Sequence, residues 1–227
     1  MLIMKSNCHI SKVDKAFIEN MEDLLNLYSL PYNKEEPVLC FDEKSKELHT
    51  GSRKAIPCTP EGNVRKIDYE YIRKGTANIF MTVEPKGLYR NTSVTKRRTR
   101  KDFAEEIKRL TALPEYREAK KIHIVLDNLN THNEKSLLLS LGKEESKEIM
   151  KRIQFHHTPK HASWLNMAEI ELSVMQGMCT KKRIGSIYLL KKELATWQTK
   201  RNDRKEGITW SFTIEDAKKL FSKKGQN

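Results

Sequence analysis

The chain has 227 residues, enough for one large domain or for one domain with an appendage. With 37% hydrophobic and 32% charged residues, and 43 Lys+Arg against 30 Asp+Glu, it carries a formal charge of +13 and reads as a soluble, polar protein. That excess favours a polyanionic partner, because surface Lys and Arg attract phosphates and release their counterions. Cys8, Cys40, Cys58 and Cys179 lie far apart with no CxxC pair, which argues against a zinc ribbon or a disulfide framework and fits a reducing interior. "MLIMKSNCHI" lacks the long apolar core and cleavage site of a signal peptide, and no stretch approaches the ~18 apolar residues of a membrane span.

In chain order, residues 12–29 read as a helix capped by Ser11, with Val13, Phe17, Met21, Leu24, Leu25 and Tyr28 on one stripe. "VLCFDEK" is a short apolar strand running into Asp42 and Glu43. Residues 50–75 are polar, with Gly51, Pro57, Pro60 and Gly62, and read as a loop insertion. Two strands follow, 76–85 and 88–96, joined at Pro85-Lys86-Gly87. Residues 99–112 form a basic amphipathic helix with Phe103, Ile107 and Leu110 inward. Residues 121–127 form a core strand, 133–150 a helix in two pieces around Gly142, and 152–159 another strand stopped by Pro159. A helix over 166–178 shows Ile170, Val174 and Met178 at helical spacing. Helices over 186–203 and from Thr213 complete the chain. The order β, ββ, αβαβ, then helices predicts an α/β fold, a mixed sheet covered by helices.

Three acidic residues stand out by position. Asp42 ends the first strand, Asp127 ends a later one, and Glu169 lies in the first turn of the helix after the last strand. If the strands are neighbours and the helix packs across their ends, the three can converge into a hard-oxygen set of the kind that suits Mg²⁺ or Mn²⁺. Two such ions ~3.5–4 Å apart serve phosphodiester chemistry. Each acid also fits a plainer role: Asp42 and Asp127 as turn residues, Glu169 as the far half of a capping box from Asn166. Spacing alone does not choose between them.

"VLCFDEK", "VLDNLNTH" and "TPKHASWLNMAEIELSV", in that order and together with "IDYEYIRKGTANIFMTVEP", resemble the catalytic core of bacterial insertion-sequence transposases of the mariner superfamily, over roughly residues 12–218. The resemblance implies a DDE enzyme of ribonuclease-H-like fold, with residues 35–227 as the catalytic domain behind an N-terminal linker helix in 1–34. It implies Asp42, Asp127 and Glu169 as catalytic metal ligands, with Asn128, His132 and Asn166 in support. It also implies Mg²⁺ as cofactor, replaceable by Mn²⁺, with two ions when DNA is bound. The expected reaction is hydrolysis of a phosphodiester at an element's end, followed by attack of the freed 3′-hydroxyl on target DNA, typically at a TA step, with no covalent protein intermediate. The implied partners are DNA and a second copy of the chain in a homodimer, acting in the bacterial cytoplasm at the nucleoid. Full-length relatives carry helix-turn-helix modules before the region matching residue 12, and this chain has almost nothing there. The rival readings are a catalytically silent DNA-binding or dimerising remnant, and a general nuclease of the same fold.

Other features carry less. Glu171 lies about 200° around a helix from Glu169, so both cannot face one metal site, and Glu43 faces away from Asp42 by strand alternation. His156 and His157 point to opposite faces of a strand, which argues against zinc. Lys160, His161 and Trp164 precede the Glu169 helix and are candidate DNA contacts, although Trp164 equally suits the core. Arg97, Arg98 and Lys101 in "TKRRTRK" can grip phosphates or can be the solvated start of a helix, where positive charge opposes the dipole.

Overall fold

A computed structural model describes residues 14–53 and 69–222. The proposed cap Ser11, Cys8, Cys58 and most of the 50–75 insertion lie outside the described residues. Helix α1 (Lys15–Ser29) is capped by Asp14, whose Oδ1 accepts from Phe17 N at 2.8 Å. Strands β1 (Val38–Gly51), β2 (Tyr71–Glu84) and β3 (Tyr89–Thr95) form an antiparallel meander. There follow α2 (Arg100–Thr111), β4 (Ile122–Leu126), α3 (Glu134–Leu141), α4 (Lys143–Arg152), β5 (Ile153–His157), α5 (Met167–Met175), α6 (Ile187–Asp203) and α7 (Ile214–Ser222). The sheet order is β3-β2-β1-β4-β5, with β4 parallel to both β1 and β5. The expected α/β fold with a mixed sheet is therefore observed.

Strand alternation builds two apolar layers. Leu39 and Phe41 face α2 and α3, packing with Phe80, Phe103, Ile107, Leu110, Ile124 and Leu126. Cys40 faces the other way and joins Leu24, Met81, Val83, Val125, Ala168, Leu172 and Leu194. Gly142 separates α3 from α4 at φ +86°, a conformation that favours glycine, and its N–H closes on Leu138 O at 3.1 Å.

Two expectations need correction. The first strand is not short: β1 runs 14 residues, pairing with β2 as far as Gly51↔Tyr71. Asp42 therefore lies within a strand and does not end it. The outer part of this ribbon is largely solvated, so its Lys, Glu and His residues show no apolar alternation to read. The helix expected over 166–178 is α-helical only to Met175 and continues as a π turn, Gln176–Thr180. Its inward residues are Met167, Ala168, Glu171, Leu172 and Met175, and Met178 is 61% exposed. The inner face differs from the expected stripe because a buried glutamate occupies it.

Candidate active site

The parallel pairing of β1 with β4 matches Val38 to His123 and Cys40 to Val125. Carried two residues on, that register leads to Asp42 and to Asp127, just past the carboxyl end of β4, and the Asp127 charge acts on the Asp42 carboxyl. Clefts beyond the carboxyl ends of parallel strands are where α/β sheets bind ligands. Asp42 shares the face of Cys40, the face on which α5 packs. Asn166 fixes α5 there: its Oδ1 accepts from Ala168 N at 3.1 Å, capping the helix, while its Nδ2 donates to Phe41 O at 2.8 Å, one residue before Asp42. The reciprocal half of a capping box does not form, since Asn166 N donates to Ser163 O at 2.7 Å. Glu169, partly buried in the first turn of α5, is left out of that cap.

The electrostatics agree with this placement. Burial, followed by the charges of Asp127, Glu169 and Glu43, pushes the Asp42 carboxyl up to about 7, against an opposing hydrogen bond from Glu43 N at 2.7 Å. His132, 1% exposed, lies between two carboxylates: Nδ1 is 2.6 Å from Asp127 Oδ1, and Nε2 is 2.9 Å from Glu43 Oε2. The second contact is an ion pair whose geometry falls short of a hydrogen bond, leaving Glu43 Oε2 without one. Burial alone would lower the His132 pKa. Asp127 and Glu43 outweigh it and raise it to about 9, so the ring is a cation at neutral pH. Burial likewise works to raise Asp127, but the His132 contact and Leu129 N hold it below the usual carboxylate range. Phe103 stacks on the imidazole at 4.7 Å between ring centres.

The other expected site residues divide. Asn128 donates to Thr158 O and ties the ends of β4 and β5 together. Arg98 stands 3.9 Å from Glu43 Oε1, beside the acidic group, while Arg97 and Lys101 are exposed. The basic stretch is a genuine helix start, because Thr99 and Asp102 form a capping box that supplies a carboxylate at the amino end. Lys160 and His161 are exposed, the latter with φ +63°. Trp164 packs edge-on against Phe212 at 5.2 Å and belongs with the core layer. His156 turns away from His157 to meet Asp23 at 2.6 Å.

Two acids that sequence reasoning set aside turn out to be built in. Glu43 does face away from Asp42, but its side chain is 4% exposed and holds His132. Glu171 is fully buried between two arginines. Only the neighbouring apolar residues could have signalled either.

Among the described residues, no three His, Cys, Asp or Glu side chains stand close enough together to enclose a metal ion. The donor chemistry nonetheless fits Mg²⁺ or Mn²⁺. These ions are commonly held by one or two carboxylates, with waters and substrate phosphates completing the shell, and not by an all-protein cage. A mostly apolar cavity of about 270 Å³ lies elsewhere, lined by residues such as Tyr28, Tyr32, Glu84, His123 and Trp210 and by none of the three carboxylates.

The profile of the DDE superfamily endonuclease family matches residues 37–191. No curated protein sequence matches the chain. Among solved structures, the chain is similar to the Mos1 mariner paired end complex with Mn, at 15% identity and a TM-score of 0.55, over 90% of this chain and 62% of that one. It is similar to the Mos1 complex with Mg at 13% identity and a TM-score of 0.54, over 89% and 60%. A pre-cleavage Mos1 transpososome gives 13% and 0.52, over 93% and 68%. The chain thus spans about 62% of the length of the first of these. At such identities the likeness is one of fold: the mixed five-stranded sheet with its flanking helices is the ribonuclease-H-like fold of Mos1 transposase. The matched stretch runs from the start of β1 into α6, across Asp42, Asp127 and Glu169, and by that match the chain belongs to the DDE superfamily of endonucleases.

Proposed function

We propose that this chain is the catalytic part of a transposase related to those of bacterial insertion sequences of the mariner superfamily, one that cuts and joins DNA strands with Mg²⁺, or Mn²⁺ in its place. The observation that supports this reading is the parallel register of β1 against β4, which runs toward Asp42 and Asp127, together with the tie of α5, the helix that carries Glu169, through Asn166 to the Phe41 carbonyl. Residues 35–227 would be the catalytic domain and 1–34 its lead-in helix.

Asp42, Asp127 and Glu169 would hold the divalent ions, two of them once DNA is bound. Such ions, when bound, supply positive charge to a phosphodiester and lower the pKa of water. His132 keeps Asp127 ionised and aims its carboxylate, and Glu43 holds the imidazole from behind. Asn128 and Asn166 fix the backbone that carries the acids. Arg98, Arg97, Lys101, Lys160 and His161 would neutralise DNA phosphates, with DNA ends and a TA-containing target as substrates. A homodimer would bring two ends together, working in the bacterial cytoplasm at the nucleoid. Among the described residues no helix is long and apolar enough to cross a membrane.

The test is Asp127→Ala. With Mg²⁺ and a labelled duplex, the wild type should nick DNA, and the variant should remain folded yet cleave slower by orders of magnitude. Cleavage by the variant at the wild-type rate would remove Asp127 from the site. A wild type that binds the duplex but leaves it intact would favour the silent DNA-binding remnant.

A further inference from the structure

Glu171 is fully buried in α5, two residues beyond Glu169, and is held by two guanidinium groups. Its Oε1 accepts from Arg90 Nε at 2.7 Å and from Arg201 Nε at 2.9 Å. Its Oε2 accepts from Arg201 Nη2 at 3.0 Å and from Arg90 Nη2 at 3.4 Å. Arg90 is 1% exposed and comes from β3, and Arg201 comes from the last turn of α6. Asn202 binds the backbone of Arg90 in both directions, at 3.0 Å each, and Glu206 takes a further contact from each arginine. Two paired forks on one carboxylate fix direction as well as distance. The helix they hold is only nine residues long, and its first turn carries Glu169.

Resting on the function proposed above, we infer that Glu171 is a positioning residue for the metal site: the Arg90–Glu171–Arg201 clamp sets the rotation of α5 about its axis and so aims Glu169 toward Asp42. Near-opposite directions on the helix give the two glutamates separate tasks. A rotation of α5 that relaxed Glu171 would swing Glu169 by the same angle. Asn166 pins the start of the helix and Ala168, Leu172 and Met175 seat its inner face in the core, while the clamp supplies the directional contact on that face. A purely structural clamp would have no need of charge, since buried ion triads are commonly replaceable by apolar residues without loss of stability.

The test uses that last point. The clamp is replaced entirely by apolar residues, as Arg90→Leu, Glu171→Met and Arg201→Leu together. Thermal unfolding reports the fold, and titration with MnCl₂ followed by electron paramagnetic resonance reports metal affinity without reference to activity. The expected result is a folded protein whose Mn²⁺ affinity falls ~10-fold or more, the size of effect that follows loss of a group orienting a metal ligand. If the triple variant does not fold, Glu171→Asp, which keeps the charge and withdraws it by one methylene, is judged by the same criterion. A folded variant binding Mn²⁺ as tightly as the wild type would overturn the inference. Asp42→Asn is the control: if it binds Mn²⁺ as well as the wild type does, the carboxylate site itself is wrong, and the clamp inference falls with it.

Discussion

His132 shows how one side chain can order several others. Its imidazolium balances two carboxylates from different elements, Glu43 of β1 and Asp127 after β4, beneath the ring of Phe103. Removing it leaves the buried Glu43 carboxyl with Arg98, at 3.9 Å, as its remaining ion-pair partner among the described residues. His132→Ala should therefore destabilise the fold by roughly 3 kcal/mol in urea unfolding, the scale for breaking a buried pair. Adding Glu43→Leu should recover most of that loss, and failure of the double variant to recover would mean that the pair is not coupled. Glu84 carries a separate, pH-dependent cost. Burial pushes its carboxyl up to about 7, against the Tyr116 hydroxyl at 3.3 Å. The folded state thus holds this proton more tightly than the unfolded chain, so the favourable contribution is complete below about 4.5 and is lost as pH rises through about 7. Glu84→Gln should be more stable than the wild type at pH 8, by on the order of 2 kcal/mol, and nearly equal to it at pH 4. Parallel denaturation curves at both values, with the same offset at each, would contradict this.

At the scale of elements, α5 matters most. Asn166→Ala removes both its cap and its side-chain tie to the Phe41 carbonyl, and should lower stability by about 2–3 kcal/mol in the same unfolding assay. An effect below about 0.5 kcal/mol, the range of an ordinary surface change, would mean that the helix start is held some other way. Which elements were legible in the sequence follows from what they bury. The stripe of α2 and the alternation of β4 face a continuous apolar layer, so periodicity revealed them. The outer ribbon of β1 and β2 buries little and gave no signal. The phase of α5 leaves no trace in the periodicity because Glu171 occupies its inner face, and its partners Arg90 and Arg201 lie 81 and 30 residues away. Membership of the DDE superfamily was legible as three ordered motifs around residues 42, 127 and 169. The bridging by His132 to Glu43 was not, because pairing across a sheet face leaves no local trace.

For the whole molecule, the charge of +13 should govern encounters with DNA. Duplex binding by this chain should weaken steeply with salt, with little preference among sequences, since phosphate contacts position a protein without reading bases. Replacing Arg97 and Arg98 with Ala should reduce the log–log salt slope by ~1–2 if both meet phosphates. Binding insensitive to salt would contradict an electrostatic footprint. The arrangement of carboxylates around a divalent ion can be examined directly by anomalous scattering from crystals of the chain grown with duplex DNA and MnCl₂. A Mn²⁺ peak should lie among the carboxylate oxygens of Asp42, Asp127 and Glu169 and should vanish in Asp42→Asn. Mn²⁺ bound elsewhere on the protein with none at these three residues, or an unchanged peak in Asp42→Asn, would contradict a metal-dependent site built on these acids.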